Sequence, residues 1–209
     1  SLIFQGARLS FYILFILTLP ILCSTRYVLQ LWLGEVPAHT VLFVQLILIL
    51  TLNESLSGPL ITAMLATGNI KKFQIVVGSL NLLNLPVSYL VLRLGAPPEA
   101  VVMVAIGISV CCTFARVWLL RGLIHLSARD FLGKVYFNVI LVGICAAIAP
   151  IALRQHLAES FLTFVAVSAT AVVCTILSAL YVGSSSSERA MVYAKARTIC
   201  TRLIKPLRH

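Results

Sequence analysis

The sequence predicts an all-α protein, a polytopic bundle of six membrane-spanning helices, on three observations. Of 209 residues, 60% are hydrophobic and only 11% charged, whereas soluble domains run at about 45 to 50% apolar and about 25% charged. Five apolar runs reach the length of about 18 residues that a bilayer crossing needs, and a sixth is interrupted. No alternating apolar and polar pattern in ten-residue segments supports a barrel, and helices satisfy their own backbone groups in lipid.

The first span is expected over residues 9–33, broken at Arg26, which lies near its outer end and can reach water. The second covers 38–67, where the apolar run 41–52 is too short to cross, the string NESLSG intervenes and PLITAMLAT resumes. We read it as one interrupted helix, because Ser57, Gly58 and Pro59 follow Glu54 and proline removes an amide donor and crowds the preceding turn. Glu54 lies sixteen residues beyond Ala38, about 24 Å along a helix at 1.5 Å per residue. A carboxylate at that depth needs a partner or a watery cavity. Substrate contact or ion coupling is one reading of Glu54 and its neighbour Asn53; a structural ion pair or a protonated buried acid is the other. Interrupted spans in transporters lie at binding sites, although a packing kink also accounts for this break.

The third span, 73–92, carries Asn81, Asn84 and Ser88 on one helical face and bends near Pro86. Neutral amides there suit sugars and interhelical bonds equally. The fourth, 101–120, aligns Ser109, Cys112, Thr113 and Arg116 at i, i+3, i+4 and i+7, a polar stripe on one face. Arg116 either snorkels towards the interface near Arg121 or turns inward, where a guanidinium can fork onto phosphate oxygens. The fifth and sixth spans, 135–153 and 161–182, hold no charge and look like packing helices, with Gly143 and Ala147 at small-xxx-small spacing. Beyond them Ser185 and Glu188 have capping-box spacing, and Val192, Ala196, Ile199 and Leu203 share a face. The segment 184–209 is thus either an interfacial amphipathic helix on an anionic leaflet or a plain basic tail. The expected organisation is spans one to four within 1–126, two further spans within 127–183, and this tail.

Net charge is +10, from 16 Lys and Arg against 6 Asp and Glu. If the N-terminus is cytoplasmic, the inner segments hold Arg8, Lys71, Lys72, Arg121, Arg129, Lys134 and six more in the tail, against Arg26, Arg93 and Arg154 outside. Twelve against three, with Arg116 inside a span, is a strong positive-inside bias placing both ends in the cytoplasm. Basics divided among juxtamembrane loops form no groove for nucleic acid, so no nucleic-acid partner is expected. The six cysteines (23, 111, 112, 145, 174 and 200) show no metal-ligand spacing with the four histidines. No metal or cofactor is expected, and no nucleophile, base and orienter set suggests an enzyme. The chain begins with Ser and enters its first span without a signal-peptide region, which suggests the C-terminal piece of a longer protein.

The strings LWLGEVP (31–37), PLITAMLATGNIKKFQ (59–74) and LNLPVSYLVLRLGAPP (83–98) resemble the C-terminal half of bacterial polysaccharide transporter family proteins. These are the O-antigen and capsule flippases of the multidrug/oligosaccharidyl-lipid/polysaccharide exporter superfamily. The resemblance is clearest over residues 9–121; the last two spans match only in hydropathy the extra pair of fourteen-span members. It implies a two-lobed exporter fold in which the first four spans here are spans nine to twelve. It also implies flipping of an undecaprenyl-diphosphate-linked oligosaccharide across the bacterial inner membrane, for lipopolysaccharide or capsule synthesis, through a cationic cavity to which only Arg116 carries over. Two alternatives stand beside it. One is a multidrug and toxin extrusion antiporter exchanging an organic cation for Na⁺ or H⁺, which needs core carboxylates and finds here only Glu54. The other is a truncated, noncatalytic membrane module recruiting polysaccharide assembly enzymes through its basic tail.

Overall fold

The computed structural model describes residues 2–68, 70–124, 127–156 and 160–183, and the expected amphipathic tail at 184–209 lies outside them. Every regular element among the described residues is helical. Six helices are long and apolar enough to cross a membrane: Leu2–Cys23, Thr40–Ala66, Ile70–Arg93, Ala100–Gly122, Arg129–His156 and Phe161–Gly183. The chain is a multi-pass membrane protein by this measure.

The spans are built from shorter helices. The first is α1 (Leu2–Cys23), continued by α2 (Thr25–Leu33). It starts at Leu2 rather than at 9, because Phe4 and Ala7 are buried in the core and Arg8 donates a 3.0 Å hydrogen bond to the carbonyl of Gly183. The break falls at Ser24 rather than at Arg26. Pro20 lies inside α1, and Thr25 Oγ1 donates back to the carbonyls of Ile21 and Leu22 at 2.7 and 3.1 Å, a contact that bends helices. Gly34, in the left-handed region at φ 76°, ends α2, as Gly95 at φ 84° follows the end of the third span; glycine takes that conformation without a Cβ clash.

The second span is α3 (Thr40–Ser55) and α4 (Gly58–Ala66), parted at Leu56 and Ser57 as the Gly-Pro pair predicts. The third is α5 (Ile70–Leu82) and α6 (Asn84–Arg93), parted at Leu83, one turn before Pro86. The fourth, α7 (Ala100–Ile124), is unbroken, and α8 (Ala128–Phe131) leads through a π-helical turn (Leu132–Tyr136) into α9 (Phe137–His156). The last is α10 (Phe161–Ser178), ending in a second π-helical turn (Ala179–Gly183).

The helices α9 and α10 pair with each other and both pack on α1; α1 packs on α3 and α4; α3 and α4 pack on α7, which also meets α5 and α6. The second span therefore lies between α1 and α7. One apolar core runs through all of this, including Phe11 and Phe15 of α1, Leu56, Leu60 and Met64 of the second span, Leu120 of α7, Val142 of α9 and Val167 of α10. The two last spans share that core with the first. Small residues allow the close approaches: a Cβ at Gly6 would lie 3.3 Å from the Pro59 ring, and one at Gly143 would lie 3.8 Å from Phe15.

Candidate functional site

The polar residues of three consecutive spans meet at one depth. Glu54 is the fifteenth of the 27 residues in Thr40–Ala66, about 21 Å from the Thr40 end at 1.5 Å per residue. Asn81 and Asn84 flank the middle of Ile70–Arg93, and Ser109 and Cys112 flank that of Ala100–Gly122. Together they line a cavity of about 340 Å³, with Ser57 and Arg116 completing its polar wall and Leu50, Ile61, Ala105 and Ile108 its apolar wall. That volume is at the small end of the range for ligand pockets, about 300 to 1,000 Å³. Two of the interrupted spans break here: α3 gives way to α4 between Glu54 and Gly58, and α5 to α6 between Asn81 and Asn84.

A directed chain of hydrogen bonds holds the wall. Arg116 Nη1 donates to Ser57 Oγ at 2.9 Å. Ser57 Oγ and Thr113 Oγ1 are 3.0 Å apart, and Thr113 Oγ1 spends its proton on the carbonyl of Ser109 at 2.9 Å. A hydroxyl has one proton to give, so Ser57 is the donor to Thr113 and accepts from Arg116. Tyr136 donates to Asn53 Oδ1 at 2.7 Å, and Asn53 Nδ2 donates to Ser109 Oγ at 2.9 Å. The thiol of Cys112 reaches Asn81 Oδ1 at 3.6 Å, and Ser88 donates to Asn84 Oδ1 at 3.2 Å.

Of the five residues singled out in the sequence, Glu54, Asn81, Asn84 and Arg116 reach the cavity wall. Asn53 does not; its amide links Tyr136 to Ser109 behind the wall. Arg116 turns inward rather than snorkelling. It has no carboxylate within 4 Å, the ion pairs among the described residues being His39–Glu99 and Lys134–Asp130. Its Nε is buried without a hydrogen-bond partner. A buried, unpaired donor of this kind costs about 1 to 3 kcal/mol. Glu54 is exposed and, among the described residues, is in neither an ion pair nor a hydrogen bond. A free carboxylate exposed at that depth calls for water or another polypeptide beside it, since lipid cannot solvate it.

Tyr136 escaped the reading of the sequence. It enters because the turn Leu132–Tyr136 is π-helical, with the amide of Phe137 bonding the carbonyl of Leu132. Such turns are frequent at functional sites. Phe114 stacks on the Tyr136 ring with centroids 5.9 Å apart, which fixes the hydroxyl towards Asn53.

At one end of the bundle, outside the spans, buried Glu99 joins His39, which precedes α3 in a left-handed conformation. The backbone amide of Glu99 itself, and then His39, hold the Glu99 carboxyl below the usual carboxylate range. This pair ties the start of the second span to the start of the fourth. Among the described residues no group of three His, Cys, Asp or Glu is placed to hold a metal ion. No protein-family model, curated protein or solved structure matches the chain.

Proposed function

We propose that the chain is the C-terminal part of a bacterial flippase that carries undecaprenyl-diphosphate-linked oligosaccharide from the cytoplasmic to the periplasmic leaflet of the inner membrane. The observation that carries the reading is the cavity at mid-membrane depth between two interrupted spans, with Arg116, whose Nε has no hydrogen-bond partner, and two asparagines among its lining residues. Interrupted spans around a mid-membrane site are the transporter arrangement. Arginine suits a diphosphate, and amides suit sugar hydroxyls. The quoted sequence strings support the same family. The activity consists of binding and alternating access with no covalent step, and the Lys and Arg asymmetry supports cytoplasmic placement of both ends of the segment.

One observation favours a second reading, a cation antiporter driven by Na⁺ or H⁺: Glu54 is an exposed carboxylate on the cavity wall that, among the described residues, is in no ion pair. The two readings separate by experiment. In the intact protein, at equal membrane abundance, Arg116→Ala and Glu54→Gln are expected to lower surface glycan. Wild-type glycan in both variants overturns the flippase reading. Normal glycan with lost cation resistance in Glu54→Gln supports the antiporter.

A further inference from the structure

A second and larger cavity, of about 720 Å³, lies at one end of the bundle and belongs to none of the chemistry above. It is lined by Met64, Lys72, Ile75, Val76, Trp118, Leu119, Arg121 and Gly122. Its polarity is graded. The helices α5 and α7 belong to consecutive spans that cross in opposite directions, so Lys72, near the start of α5, and Arg121, near the end of α7, lie at the same membrane face. Three to four residues further into each helix come Ile75 and Val76 on α5 and Trp118 on α7, about 5 Å deeper at 1.5 Å per residue. Met64, two residues from the end of α4, is a fully buried part of the wall at the depth of Lys72. Two cations thus stand at the mouth, an indole lies at interfacial depth where such rings concentrate, and the floor is apolar. The lining includes no carboxylate to neutralise the cations.

We propose that this groove binds one anionic phospholipid of the surrounding leaflet, its phosphate between Lys72 and Arg121 and an acyl chain along Ile75, Val76 and Trp118. The charge and apolar gradient match a glycerophospholipid end to end, and basic pockets between spans at the membrane face hold anionic head groups. A free phosphate would use the mouth and leave the apolar floor unused. The site is separate from the mid-membrane cavity, and its occupant needs no transport.

The groove supplies its own reporter. The chain has two tryptophans, so Trp32→Phe leaves Trp118, which is 67% exposed, as the only indole. The 209-residue Trp32→Phe chain is reconstituted in vesicles containing equal mole fractions of phosphatidylglycerol and phosphatidylcholine, with bromine on the acyl chains of one or the other. Bromine quenches the indole on contact. Brominated phosphatidylglycerol is expected to quench Trp118 with an association constant about fivefold or more above that of brominated phosphatidylcholine, since each basic residue near an anionic surface adds about that factor. Lys72→Gln with Arg121→Gln brings the two lipids level, whereas Lys71→Gln, one residue outside the groove, keeps the preference. Equal quenching in the Trp32→Phe parent overturns the proposal without relying on any charge variant. So does an equal loss in Lys71→Gln, or relief of quenching by free glycerophosphate.

Discussion

Tyr136 and Asn53, 83 residues apart in the chain, share a 2.7 Å hydrogen bond that joins the fifth span to the second behind the wall of the mid-membrane cavity. Asn53 passes the interaction on to Ser109 of the fourth span, so three spans are held in register by one amide. Tyr136→Phe is expected to destabilise the bundle by about 0.6 to 1.7 kcal/mol, the average and the maximum measured for hydrogen bonds between membrane helices. A double-mutant cycle with Asn53→Ala, followed by denaturant unfolding in detergent, is expected to give a coupling energy of that order. Additive losses contradict the assignment.

Arg116 is expected to act as a planar fork rather than as a point charge. One amino group is committed to Ser57, and the unpaired Nε is left for an anion. Arg116→Lys keeps the charge but loses this geometry. Surface glycan production at equal abundance is then expected to fall about tenfold, the worth of one charge-assisted hydrogen bond of about 1.5 kcal/mol. Full activity in the lysine variant would show that only charge matters.

A Cβ at Gly183 would crowd the hydroxyl end of Tyr12, with Cζ only 2.8 Å away, while the Gly183 carbonyl receives Arg8. Gly183→Ala is expected to cost about 1 to 3 kcal/mol by overpacking. Gly143→Ala, where the nearest atom is 3.8 Å away, is expected to be neutral within about 0.5 kcal/mol. Thermal unfolding of both variants in one detergent checks the contrast, and an equal response contradicts it.

The Glu99 carboxyl is held below the usual carboxylate range by its own backbone amide and by His39. A folded-state pKa below the unfolded value contributes stability that is complete above the unfolded value, about 4.3, and is lost as pH falls through the folded one. Glu99→Gln is therefore expected to flatten the decline in thermal stability on the acid side of about pH 4.3, with the wild type still falling. Parallel curves for the two proteins contradict this.

What was legible in the sequence follows physical range. The six spans and the break before Pro59 rest on local composition and on a missing amide, both visible within one window. The stripe of Ser109, Cys112, Thr113 and Arg116 rests on helical period, and all four do bond side chains of the second or third span. Arg8 disguised the start of the first helix, because the carbonyl that satisfies it is 175 residues away. The His39–Glu99 pair spans 60 residues. Tyr136 turns on the extra residue of a π-helical turn, which rotates every later side chain and leaves no mark in hydropathy. Asn53 and Glu54 are adjacent in sequence, so helical rotation sends one behind the wall and the other onto it.

The most direct test asks whether the mid-membrane cavity admits water. In the 209-residue chain cleared of its six cysteines, Asn84→Cys on the cavity wall is compared with Ile144→Cys, exposed near the middle of Arg129–His156. A membrane-impermeant maleimide is expected to label Asn84→Cys and leave Ile144→Cys unmodified. Labelling of neither position, or of both alike, contradicts a hydrated substrate site at this depth.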